Sequence, residues 1–467
     1  MTGPAYGRDP AARAEAGRAA RKRVPLDRHA DFQPAADRPD PVEVLVAEET
    51  DRLPELVPIR HGRMLASPLT FLRASAAVMA ADLAGTPSSG LTSQLCGDAH
   101  LFNFGAYASP ERRLVFDLND FDETHPGPFE WDVKRLVASF ALAGRANGFR
   151  RKERALVTTA AARAYRQAMI EFAGMRELDV WYARADIDDL QKRLGDQLGK
   201  VRRRRLEKAG AKARTRTSLQ AYRKLTALVD GERRIVADPP LLVPVQDLVP
   251  TVARKQLESQ IRDLLAGYRD SLPADRQRLF DAFEFVDLAR KVVGVGSVGT
   301  RCWIVLLTGR DDGDPLLLQV KEAGRSVLAA HTPPAGYEHE GRRVVTGQRI
   351  MQAASDIFLG WHRVSGFDGK TRDFYVRQLR DWKGGAVVEV MDPPGMQAYA
   401  ELCGWTLARA HARGGDRIAI AAYLGDNDRF ERALAQFAEF YADQSERDHA
   451  TFTAAVDEGR ISAQTGI

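Results

Sequence analysis

Cysteine is scarce: Cys96, Cys302 and Cys403 are odd in number and far apart, which argues against a disulfide framework and against a paired-cysteine metal site. Long apolar runs are missing too, since none approaches the roughly 20 residues of a membrane span. The Ala/Arg/Pro-rich start lacks the apolar segment of a secretory signal, so the expectation is a cytoplasmic protein in a reducing compartment. Charge of one sign is not in excess: 68 basic residues face 63 acidic ones for a net charge of +5. That balance does not call for a nucleic-acid partner, although phosphate-bearing ligands remain compatible with it. What is present suits a folded protein of more than one lobe, because 467 residues exceed what one core accommodates.

Residues 1–40 mix Ala, Arg, Asp and Pro without apolar periodicity and are expected to form a poorly ordered tail. Residues 41–284 are expected to form a mostly helical lobe, with helical spacing over 68–83, 129–143, 153–175, 190–206 and 219–229. Two short buried strands, 93–96 and 113–118, flank a loop near its start. Pro239-Pro240 breaks the helical run, and helices resume over 254–283. Residues 285–395 turn strand-rich, over 290–295, 301–308, 316–320, 374–379 and 386–390, and predict a smaller sheet-bearing lobe. Arg310 to Asp314 is a turn signal that pairs the second and third of these as a hairpin. Residues 396–467 return to helix, over 396–412 and 428–444, and are expected to pack on the helical lobe. The fold class is therefore α+β.

Two remote segments carry the parts that ATP-dependent phosphoryl transfer needs. Gly97-Asp98-Ala99-His100-Leu101-Phe102-Asn103 places an Asp five positions before an Asn, the interval of a kinase catalytic loop. Asp98 is the candidate that orients the acceptor hydroxyl or takes its proton, and Asn103 the candidate metal ligand. Asp120, in Asn119-Asp120-Phe121-Asp122, follows an apolar stretch and suits a second magnesium ligand, with Asp122 as the alternative. Gly294, Gly296 and Gly299 fit G-x-G-x-x-G between two strand-like stretches, without the helix that a dinucleotide fold would place after them. Lys321 ends the apolar stretch Leu316 to Val320 and is the candidate ligand for the α and β phosphates. ATP and Mg2+ are the expected cofactors, and the acceptor is left open among small molecules, lipid headgroups and proteins.

The blocks GDAHLFNFG, FDLNDFDE, GPFEWDVKRL and GQRIMQAASDIFLGW resemble the bacterial family called domain of unknown function 2252. The stretch from Gly97 to Arg135 is also similar to aminoglycoside and choline kinases, with Asp98, Asn103, Asp120 and Asp132 at matching positions. That resemblance implies a two-lobed, protein-kinase-like fold, a phosphotransferase activity, and an Asp132 that braces the catalytic-loop backbone. Glycines and lysine come first in such kinases and last here, so the resemblance implies a circular permutation, which folds tolerate when the new ends lie at the surface. Leu407-Ala408-Arg409-Ala410-His411 supports it, because such kinases carry a similar L-x-x-x-H helix end just before the catalytic loop. Kinases pair the lysine with a helical Glu; here the helix around 343–354 offers only Gln348 and Gln352, so either Glu340 serves or the nucleotide is held differently.

Three other functions were weighed. Nucleotidyl transfer from a reversed nucleotide uses similar residues, and a nucleotide-binding regulator without turnover fits the missing Glu. A two-metal phosphoesterase would need several more histidines at strand ends, whereas the nine present are scattered. His100 fits a hydrogen-bonded structural residue better than a ligand. Asp117, Asp122 and Glu123 either add negative charge for a second magnesium or are simply solvated. The basic stretch from Lys200 to Arg216 reads first as a solvated face around a helix and into a loop, next as a docking site for an anionic substrate, and least as a nucleic-acid surface, since only Tyr222 lies nearby to stack.

Overall fold

The computed structural model describes residues 9–189, 200–229, 231–248, 251–365, 369–379 and 382–467. The fold is mixed α+β, and its strand pairings are antiparallel among the described residues. The main core lies among the helices Phe129–Ala146, Arg151–Gly174, Pro393–Gly414 and Arg429–Asp457. The first of these is buried on every face, so its charged residues, Glu130, Asp132, Lys134 and Arg135, all need partners inside the protein.

A four-stranded sheet lies against this helical core. It has the order β14 (Gly384–Gly385), β2 (Phe104–Ala108), β3 (Leu114–Leu118), β5 (Ala185–Asp186). β1 (Thr92–Leu95) pairs separately with β4 (His125–Pro128). A six-stranded sheet has the order β12 (Gly360–Ser365), β13 (Thr371–Gln378), β11 (Pro315–Ala323), β10 (Cys302–Thr308), β9 (Glu284–Lys291), β8 (Leu242–Pro244). The Arg310 to Asp314 turn closes the β10/β11 hairpin, as its composition predicts, with Gly309 N donating to Asp314 O at 2.8 Å. Leu316 and Leu318 pack with the helix Thr251–Asp270, while Leu317 on the opposite face meets Ala221 and Tyr222 of the helix Ser218–Leu225. Cover on both faces explains why this strand is apolar without alternation.

Several expectations are corrected. Pro10–Arg23 is a helix rather than part of a tail, capped by Asp9 and tied by Arg13 to Asp416 at 2.8 Å. Its buried positions are Gly17 and Ala20, too small to register as apolar periodicity, and a Cβ on Gly17 would meet Ala419 O at 2.1 Å. The helical segment over 68–83 is two helices, Pro68–Ala74 and Ala76–Ala84, interrupted at Ser75. Residues expected as a strand over 386–390 hold a 3-10 turn, Val388–Val390, and the strand is Gly384–Gly385 just before it. β2 and β12 went unforeseen, and residues 219–229 split into the helix Ser218–Leu225 and the strand Thr226–Val229. The helix expected over 190–206 lies in its first ten positions outside the described residues, and the chain is helical over Lys200–Thr215.

Candidate active site

The loop after β1 is held from below by the helix Phe129–Ala146. Asp132 accepts from Cys96 N at 2.7 Å and Gly97 N at 3.0 Å, and Ser139 Oγ accepts from Leu101 N at 3.0 Å. Gly97 has φ +83°, and a Cβ there would sit 2.2 Å from Glu123 O, so glycine is required at this position. His411 Nε2 stands 3.2 Å from Asp132 Oδ2, and the Tyr165 hydroxyl 2.8 Å from His411 Nδ1. The far end of the chain thereby supports the brace of the early loop.

Within the loop, Asn103 Nδ2 donates to Asp98 O at 2.6 Å, which leaves Oδ1 as the acceptor end of that side chain. The Asp98 carboxylate pairs with Arg135 and lies 3.6 Å from His100 Nε2. His100 itself is buried, and its Nδ1 accepts from Phe102 N at 3.2 Å, a cap on the turn Leu101–Asn103. Burial pushes the Asp98 carboxyl above its ordinary value, against the pull of Arg135 and Arg73.

β3 leads into Asn119-Asp120-Phe121-Asp122, where Phe121 is buried and anchors the turn. Asp122 accepts from the Tyr375 hydroxyl at 2.7 Å, from Ser297 Oγ at 3.3 Å, and from Lys321 Nζ. Lys321 Nζ is 3.9 Å from Asp120 Oδ1. The two remote segments thus meet in one site. Burial alone would weaken the charge on Lys321, but the two carboxylates more than offset it and raise its pKa. For Asp122, desolvation is outweighed by Lys321 and Tyr375, so its pKa falls, while Asp120, partly desolvated and beside the Asp122 carboxylate, is pushed up.

Gly294, Gly296 and Gly299 lie in the turn that joins β9 to β10. Gly294 and Gly299 have φ +65° and +93°, the left-handed region glycine adopts without strain. The turn is strapped by an earlier segment: Arg52 Nη1 donates to Gly296 O and Val298 O, each at 2.7 Å, Leu53 N to Gly299 O at 2.8 Å, and Arg63 to Gly294 O. A cavity of about 350 Å³ lies beneath it, lined by Asp98, Asn103, Asp120 and Asp122 among others. A second, of about 830 Å³, shares Asn103 and Asp120 in its lining.

The helix Glu340–Met351 follows β11, but Glu340 does not serve Lys321. It pairs with Arg343, whose guanidinium reaches Thr124 O, Asp122 O at 2.9 Å and Gly324 O at 2.8 Å. Gln352 Nε2 donates to Leu118 O at 2.6 Å. The helix therefore grips the backbone of the acidic turn, and Lys321 pairs with Asp120 and Asp122 rather than with Glu340. Asp117 is not solvated: it is buried against Arg409 and accepts from Ala353 N at 2.8 Å. Glu123 Oε2 accepts from Val327 N at 2.7 Å.

Among the described residues no group of three or more His, Cys, Asp and Glu is arranged to hold a metal by itself. Magnesium commonly needs only one or two protein carboxylates plus substrate phosphates. Asp120, 35% exposed at the side chain and only loosely held by Lys321, fits that demand together with Asn103 Oδ1. Asp122 fits it less well, since both its oxygens are engaged.

Residues that sequence reasoning left out of the site are Arg135, Arg343, Tyr375 and Arg52. Arg135 had a signal: three positions after Asp132 on one helix, it faces the same loop. The other three had none, because the acidic-turn and glycine-turn groups they reach, Asp122 and Gly296, lie 200 or more residues away.

No helix among the described residues is long and apolar enough to cross a membrane. No curated protein and no solved structure was found that matches the chain. Residues 52–455 match the uncharacterised proteins conserved in bacteria that form the DUF2252 family, and the chain belongs to that family.

Proposed function

We propose that the chain is an ATP- and magnesium-dependent phosphotransferase that delivers the γ-phosphoryl group to a hydroxyl acceptor. The observation that carries the reading is the meeting of Lys321 with Asp120 and Asp122 beneath the glycine turn. The glycine turn joins the first two strands of a hairpin, the lysine rides on the next strand, and a helix follows, the order protein kinases use. A circularly permuted, kinase-like fold accounts for the placement of Leu407 to His411, which reaches the loop brace from the last third of the chain. Asp98 orients the acceptor hydroxyl and receives its proton, and its raised pKa suits a base. Lys321 and the turn's backbone hold phosphates. Magnesium held by Asp120 and Asn103 would supply charge neutralisation on the transferring group.

A second reading, a nucleotide-binding regulator without turnover, draws support from the hold of Arg135 on Asp98. ADP formation from Mg-ATP, measured over a screen of hydroxyl acceptors with water included, separates the two. The phosphotransferase reading expects turnover in the parent protein and none in Asp98→Asn, with ATP binding retained. Equal turnover in Asp98→Asn rejects Asp98 as the base, and ATP binding without ADP under every acceptor favours the regulator.

A further inference from the structure

The 830 Å³ cavity has a chemistry of its own. Asn103 and Asp120 form one edge, and five cations contribute to the remaining lining: Arg377 from β13, Lys383 just before β14, Arg216 from the segment before the helix Ser218–Leu225, and Arg223 and Lys224 from that helix. Ala221 and Tyr222 pack on the sheet, so the next two positions fall on the exposed side of the helix. Lying near a helix C-terminus favours a cation at Arg223 and Lys224 on its own account. It does not explain why Arg216 and Arg377, from other elements, converge on the same space. Arg377 Nη1 donates to Asn119 O at 3.0 Å and its Nε to Gln319 Oε1 at 3.1 Å, and Arg216 Nη1 donates to Lys383 O at 3.1 Å. Those contacts fix both guanidiniums; Arg377 also faces the charge of Asp120 and Asp122, whereas Arg216 has no carboxylate partner among the described residues. Neither Arg223 nor Lys224 has an ion-pair partner among the described residues. Five cations share this concavity with one carboxylate, Asp120, and like charges so gathered repel one another unless a further anion joins them.

We propose that this cavity binds a polyphosphate or similarly polyanionic group, placed against the Asn103 and Asp120 edge. The proposal goes beyond phosphoryl transfer, because it stands on the charge of the cavity whether or not transfer occurs. The test uses the full chain, inorganic tripolyphosphate as the probe, and titration calorimetry in EDTA, so that magnesium at Asp120 plays no part. Saturable one-to-one binding is expected. The exposed pair Arg223→Ala with Lys224→Ala should weaken it by about tenfold or more, about 1.4 kcal/mol per factor of ten. A control that removes two exposed arginines elsewhere, Arg150→Ala with Arg176→Ala, should leave it unchanged. No saturable binding at millimolar probe, or equal losses in both double variants, overturns the proposal. Competition between ATP and the probe assigns the anionic group to the phosphoryl donor; simultaneous binding assigns it to the acceptor.

Discussion

Asp132 offers the sharpest structural perturbation. Its carboxylate accepts from Cys96 N and Gly97 N, both buried, and touches His411. Alanine there orphans two buried backbone donors. Hydrogen bonds to a charged group contribute about 1.5–3 kcal/mol each, so Asp132→Ala should cost about 3–6 kcal/mol. Asp132→Asn keeps one oxygen and should cost roughly half as much. Against a typical stability of about 5–15 kcal/mol, the alanine change is severe. Urea unfolding followed by tryptophan fluorescence measures the loss, and hydrogen exchange at the Cys96 and Gly97 amides localises it. A loss under about 1 kcal/mol with unchanged amide protection would refute the brace.

Three further outcomes follow from the charges. Lys321→Met strands the Asp122 carboxylate in a buried site and should destabilise by about 3–5 kcal/mol, whereas adding Asp122→Asn should recover part of that in a double-mutant cycle. Burial pushes the Glu123 carboxyl from 4.5 up to about 7, so the folded chain binds that proton more tightly than the unfolded one. Stability should therefore decline by up to about 3 kcal/mol as pH rises from 4.5 to 7, and pH-dependent unfolding of Glu123→Gln should lack that decline. Burial, with Lys134 nearby, lowers His29 from 6.5 to about 3; its stabilising contribution is complete above pH 6.5 and is lost on acidification toward 3, a limb of up to about 5 kcal/mol that His29→Gln should flatten in acid unfolding.

Much of the scaffold could be read along the chain because local pattern specified it. The helix Phe129–Ala146 announces itself by apolar spacing, and the Arg310 to Asp314 turn by its composition. The strand that carries Lys321 was visible as an unbroken apolar run, since both faces of its sheet are covered. β2 was hidden because Gly105 and Ala106 carry too little side chain to signal a strand; a Cβ on Gly105 would collide with Gly384 O at 2.5 Å. Within the site, the Asp98, Asn103 and Asp120 types and spacing were legible, whereas their partners were not. The helix that follows Lys321 offered no clear partner beyond Glu340, and the lysine meets Asp122 instead, 199 residues away. Sequence spacing carries no information about a contact made between segments this remote in the chain. The Arg52 strap on the glycine turn was missed for the same reason.

The central claim is that the early acidic loop and the late glycine turn share one magnesium-nucleotide. Calorimetric titration of ATP into the parent protein and into Asp120→Asn, each with and without magnesium, tests it most directly. The account predicts binding that strengthens with magnesium in the parent, and loss of that magnesium dependence in Asp120→Asn. Equal magnesium dependence in both proteins, or no ATP binding by the folded parent, would contradict it.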